Sequence, residues 1–150
     1  TAFFKALLPM AIASERKYGV PASVIMAQAA LESGWAQEPI GNNIFGVKGK
    51  GPAGSKLVST TEEVHGRTVA VKAQFAMYHS IAEAVDDHGQ VYNNGYYTKG
   101  LKDYARTKDP YRFIRLVGGT YATDSKYAAS VTSLMKAYKL TKLAASQGGH

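Results

Sequence analysis

The sequence predicts a mainly helical α+β domain: a helical lobe, a small β-hairpin lobe beside it, and a cleft between the two. Three patterns carry that expectation. Apolar residues recur at helical spacing toward both ends of the chain. The run from Val20 to Leu31 holds no charge and is apolar nearly all round. One stretch, Lys56 to Tyr78, alternates with a period of two about a His65-Gly66 turn.

The first helix is expected over Phe3 to Lys17, with Phe4, Leu7, Leu8, Ala11 and Ile12 on one stripe. Pro9 either kinks it or marks its true start. Gly19 suits a C-terminal stop, and Pro21 opens a second helix whose all-round apolar surface belongs in the middle of a core. From Trp35 to Gly54 the glycines 41, 46, 49, 51 and 54, with Pro39 and Pro52, predict a loop. Asn43 inside it suits holding a turn through local backbone bonds. The hairpin follows. Thr60, Glu62 and Val64 share one face of its first arm, and Thr61 and Glu63 the other, so one glutamate can face a cleft while its neighbour faces water.

Ser80 to Glu83 reads as a capping box before a helix running to about Tyr92. His88 lies on its apolar stripe and reads as a core histidine. Asn93 to Lys108 is a mixed stretch rich in Tyr and Gly, and its Tyr96, Tyr97 and Tyr104 are candidates for stacking on a sugar or base, or for surface packing. Asp109-Pro110 caps a short helix ending at Gly118-Gly119, and Thr123 or Asp124 caps a last one with Val131, Leu134, Met135 and Tyr138 inward. Three or four helices are thus expected after the hairpin. Residues 1–140 are expected to form one domain, with 141–150 a flexible tail.

At 150 residues the chain can bury a sizeable core. It has no cysteine, which excludes disulfides, thiolate metal sites and a cysteine nucleophile. No apolar run reaches membrane-span length. The opening Thr1 to Lys5 lacks a signal-peptide layout, and a chain that starts without Met reads as a mature form or an excised domain. A net charge of +7 with ten tyrosines suits an anionic polymer. The lysines are spread from Lys5 to Lys142, whereas nucleic-acid binding calls for a cluster. Asp86-Asp87-His88 lacks metal-site spacing. No metal, cofactor, nucleic acid or membrane span is therefore expected.

The residue that stands out is Glu32, the first ionisable group after the uncharged helix and one turn beyond Gln28. A carboxyl at the lip of an apolar helix is expected to be partly desolvated, which raises its pKa; the other reading is a surface glutamate near a helix C-terminus. A glutamic acid that holds its proton near neutrality suits general-acid chemistry.

Four motifs in order carry a resemblance: Gln28 to Trp35 (QAALESGW), Asn43 to Lys48 (NIFGVK), the hairpin with Thr60-Thr61-Glu62, and Tyr121 to Asp124 with Tyr127. Over residues 3 to 140 the chain resembles the peptidoglycan N-acetylglucosaminidases of glycoside hydrolase family 73, most nearly those of flagellar rod assembly. The resemblance implies a lysozyme-like fold, hydrolysis of the β-1,4 glycan, a monomer and a periplasmic location. It places catalysis on Glu32, Glu62 and Tyr127, with Glu63 the alternative second acid. It places substrate binding on Gln28, Trp35, Asn43, Phe45, Tyr121, Thr123 and Asp124. Ser125 stands where relatives often have proline. Glycan strands are the implied partner, with flagellar rod proteins engaged through a domain outside this chain. Alternatives are a lytic transglycosylase, a phage or secreted autolysin, and a non-catalytic wall-binding module.

Overall fold

The computed structural model describes residues 1–36 and 40–150; Pro39, expected in the long loop, lies outside the described residues. The described residues form seven helices, α1 (Ala2–Tyr18), α2 (Ala22–Ser33), α3 (Ile81–Val91), α4 (Thr98–Thr107), α5 (Pro110–Tyr121), α6 (Tyr127–Ala137) and α7 (Leu140–Ala145). The strands β1 (Ser55–Val64) and β2 (Arg67–Ala76) make one antiparallel pair. Pro9 sits within α1 on its exposed face and does not end the helix.

Helix α2 is the central post. Ala22 through Ala30 are all buried, and α1, α5, α6 and α7 pack around it. A helix apolar on every side has no solvent face to offer, so encirclement is its stable arrangement. Gly34 takes a left-handed φ of 57° and ends it. The hairpin turns at His65 and Gly66, both with positive φ (50° and 76°), as a two-residue turn matched to strand twist requires. Glu62 pairs with Val69 and Thr60 with Val71.

Two expectations are corrected here. Five helices follow the hairpin, because Thr98–Thr107 and Leu140–Ala145 are helical. Helix α4 turns Tyr97, Gly100, Leu101 and Tyr104 inward, one face at helical spacing on which a glycine and two tyrosines stand in for aliphatic residues. That glycine answers a packing need: a Cβ at 100 would stand 2.4 Å from Val117 Cγ1 of α5. Tyr97 and Tyr104 are buried and unavailable for stacking on a ligand, whereas Tyr96 is exposed. The end of the chain packs against the helical core. Leu140 and Ala144 are buried one turn apart on α7. Beyond them the His150 amide donates to Glu15 Oε1 (3.0 Å), and Ser23 Oγ donates to the His150 carbonyl (2.6 Å). Two apolar residues are too few to register as a period, yet they cover one side of α2.

The loop from Ile40 to Gly54 is fastened along β2. Its amide at Gly49 donates to Gln74 O, and Ala76 N donates back to Val47 O, both at 2.9 Å. Asn43 is the fastener. Its Nδ2 donates to Val47 O and Ala76 O (2.9 Å each), and its Oδ1 accepts from Val47 N (3.1 Å). Asn43→Ala strands these buried groups, and we expect a loss of about 2–3 kcal/mol in denaturant unfolding. An unchanged midpoint would show that the loop holds without it.

Candidate active site

Glu32 lies in the last turn of α2, and the chain returns beneath it through Phe45-Gly46-Val47. Gly46 takes φ 65°, a left-handed value that a side chain resists, and a Cβ there would stand 3.6 Å from Glu32 Oε2. Glu32 as a whole is exposed, as befits the wall of a cleft. The protein packed around its carboxyl group nevertheless strips enough water to push its pKa above the ordinary carboxylate value. The nearby Tyr127 hydroxyl works in the opposite direction. That hydroxyl is buried and in hydrogen-bond geometry with no described residue, so it faces the carboxyl as an unused donor. Burial and the Glu32 charge raise the Tyr127 pKa, so the phenol keeps its proton.

Beneath this pair runs a buried polar chain. Gln28 Nε2 donates to Tyr92 Oη (2.8 Å), and His88 Nε2 donates to Gln28 Oε1 (2.7 Å). His88 Nδ1 is left to accept from the Tyr121 hydroxyl (3.4 Å). This fixes the neutral Nε2–H tautomer, and burial lowers the His88 pKa to about 3. The ring stacks flat on Phe45, with centroids 3.8 Å apart, and Tyr121 stacks on Tyr127 at 5.4 Å. The chain thus anchors the tyrosines that face Glu32.

The cleft has two compartments. The inner, about 480 Å³, is lined by Glu32, Phe45 to Lys48, His88, Val91, Tyr121, Ala122 and Thr123. The outer, about 780 Å³, is lined by Lys48, Glu62, Glu63, Thr123 and Asp124. Lys48 and Thr123 border both, so the two are continuous. Glu62 pairs with Lys48. Among the described lining residues Lys48 is the one cation against four carboxylates, so the protein's excess positive charge lies outside the cleft.

The structure therefore brings Glu32, Phe45, Glu62, Glu63, Tyr121, Thr123 and Asp124 to the cleft wall, with Tyr127 just behind it. Asp124 also caps the turn into α6, its Oδ1 accepting from Lys126 N (2.9 Å). Three of the expected substrate contacts line neither compartment. Gln28 and Asn43 are buried and act through the polar chain and the loop. Trp35 packs among Phe3, Phe4 and Tyr138, its ring 4.7 Å from the last, and lines neither compartment. Sequence reasoning gave no role to Lys48, although it closes the Asn43 to Lys48 motif. It also placed His88 in the core without seeing that the ring floors the inner compartment.

A helix-borne carboxylic acid that resists ionisation, set in a cleft between a helical lobe and a hairpin, is the arrangement of a lysozyme-like glycoside hydrolase. Residues 8–140 match the glucosaminidase profile, described as mannosyl-glycoprotein endo-beta-N-acetylglucosaminidase, and the chain belongs to this family, glycoside hydrolase family 73.

Among its relatives, peptidoglycan hydrolase FlgJ of Salmonella typhimurium is 36% identical over an alignment of 143 positions that covers 88% of this chain and 44% of FlgJ. Exo-glucosaminidase LytG of Bacillus subtilis is 31% identical over an alignment of 132 positions that covers 83% of this chain and 46% of LytG. The chain thus spans less than half the length of either. Among solved structures, the catalytic domain of the autolysin Auto from Listeria monocytogenes superposes with a TM-score of 0.82 at 30% identity, covering 94% of this chain and 85% of that one. A C-terminally truncated glycoside hydrolase domain of Salmonella typhimurium FlgJ gives 0.73 at 32% identity, covering 92% and 96%. The lysozyme-like fold expected from the sequence is the fold observed.

Among the described residues no group of three or more His, Cys, Asp or Glu is placed to hold a metal ion, and no helix is long and apolar enough to cross a membrane.

Proposed function

We propose that this protein hydrolyses the β-1,4 glycan of peptidoglycan as an N-acetylglucosaminidase, with Glu32 as the general acid. The observation that carries the reading is the Glu32 carboxyl in the inner compartment, its pKa raised by burial. Glu32 gives its proton to the glycosidic oxygen as the bond breaks toward an oxocarbenium-like state. Glu62, across the shared border in the outer compartment, activates the water that attacks the opposite face, which gives inversion. A second reading has its own support. The unused Tyr127 hydroxyl beside Glu32 suits orienting the substrate's acetamido group, which would then attack the anomeric carbon in place of a carboxylate.

The FlgJ relatives favour a role in opening the wall for flagellar rod assembly, in the periplasm, with rod proteins engaged through sequence outside this chain. The autolysin names in Enterococcus faecalis and Listeria monocytogenes make wall turnover the competing setting.

The test is a digest of purified peptidoglycan with mass spectrometry of the reduced products. We expect new reducing GlcNAc ends, with proton NMR of the first-formed anomer separating inversion from acetamido assistance. Reducing MurNAc ends would mean a muramidase, and anhydro-MurNAc a transglycosylase. Binding without cleavage would reduce the protein to a wall-binding module.

A further inference from the structure

The hairpin has few contacts of its own with the helical lobe. Its residues are largely exposed up to Phe75 and Ala76 at the base, and its strands pack mainly on each other. Yet it carries Glu62 to a cleft whose other carboxyl stands on the rigid post of α2. The pairing of the strands shows what holds it there. In β2, Phe75 is bridged on one edge by Lys56 of β1 and on the other by Lys48 of the loop. Glu62 lies six residues beyond Lys56, roughly 20 Å along a straight strand. A lysine and a glutamate side chain together do not span that distance, even before the width of β2 is added. Lys48 and Glu62 nevertheless meet as an ion pair, so the hairpin curls back over the loop. Lys48 is itself fixed by the backbone bonds that fasten its loop to β2.

We propose that Lys48 is the positioning residue for Glu62, a strap that holds the curled hairpin over the cleft and so sets the second carboxylate against Glu32. This rests on the reading of Glu62 as the water-activating group. Both side chains are about half exposed, at 57% and 42%, so the strap is weak and sensitive to salt. A weak strap suits a lobe that must lift to admit a polymer.

Two measurements test it. The chain has no cysteine, so Arg67→Cys on the hairpin and Lys99→Cys on α4 can be spin-labelled without background. Electron-electron resonance should give a narrow distance distribution for this pair. The distribution should broaden and lengthen with Lys48→Met, and in the same direction at about 1 M salt. An unchanged distribution overturns the strap, and this readout requires no activity.

On peptidoglycan, Lys48→Met should lower kcat about tenfold with KM within about twofold, and Lys48→Arg should restore most of it. Adding Lys48→Met to Glu62→Gln should bring no further loss, as expected of residues acting as a unit. A raised KM with unchanged kcat, or losses that multiply, would overturn positioning and make Lys48 a substrate contact. Full activity in Glu62→Gln would instead remove Glu62 from the mechanism, and Lys48 with it. No cleavage by the unaltered protein would refute the hydrolase reading itself and leave the distance measurement to decide the strap.

Discussion

Glu32→Gln is expected to reduce peptidoglycan turnover by about 10²–10⁴-fold, the range for a lost general acid, while substrate binding and circular dichroism stay unchanged. The amide keeps the shape of the side chain and its place over Gly46 and removes the transferable proton. The unaltered enzyme should lose activity as pH rises through the raised Glu32 pKa, because only the protonated carboxyl can serve the leaving oxygen. Stability should follow the same group. A carboxyl whose pKa is higher folded than unfolded stabilises the fold while protonated, and that contribution is lost as pH rises through the folded value. At neutral pH the Gln variant should therefore melt no lower than the parent, and the loss of stability as pH rises above the ordinary carboxylate value should be missing from it. Turnover close to the parent's in Glu32→Gln would remove Glu32 from the chemistry.

His88 should make the protein acid-sensitive by a separate route. Its pKa is about 3 when folded, against about 6.5 in an unfolded chain. Between those values the unfolded chain binds the extra proton, so stability rises with pH through the window. The contribution is complete above about 6.5 and lost as pH falls toward 3, at a slope of about 1.4 kcal/mol per pH unit. The structural reason is that both ring nitrogens are committed, one donating to Gln28 and the other accepting from Tyr121. A proton on Nδ1 would turn the Tyr121 hydroxyl from donor to acceptor and leave a buried charge stacked on Phe45. Unfolding by urea at a series of pH values from about 4 to 7 should show this slope in the parent and lose it in His88→Gln. Equal slopes would mean that the ring is not held neutral.

The parts legible in the sequence were those that repeat. The period of α1, the uncharged run of α2 and the alternation about His65-Gly66 each report a burial pattern that local geometry imposes. Glu32 was legible because it broke such a pattern, and Tyr121 to Tyr127 because the motif resemblance placed them. Where the sequence reading failed, the cause was tertiary. Helix α4 does carry a helical period, but its inward positions are Tyr97, Gly100, Leu101 and Tyr104, residue types that also suit a loop, and helix α7 has only Leu140 and Ala144 buried, too few to show one. Gln28, Asn43 and Trp35 sit in the right motifs but face inward, and motif position alone does not say which way a side chain points. Lys48 gained a role only once the hairpin's curl brought Glu62 to it.

The encircled helix α2 has a kinetic consequence. Its amides from Val24 to Ala30 are expected to exchange only on global unfolding, whereas those of the hairpin are released when its two strands, which pack mainly on each other, part. Deuterium uptake should therefore divide the cleft down the middle, with the Glu32 side frozen for as long as the protein stays folded and the Glu62 side exchanging early. The two carboxylates then keep different clocks. Melting curves report on the acid's support and are nearly blind to its partner's, so a substitution on the hairpin can abolish turnover and leave no trace in thermal stability.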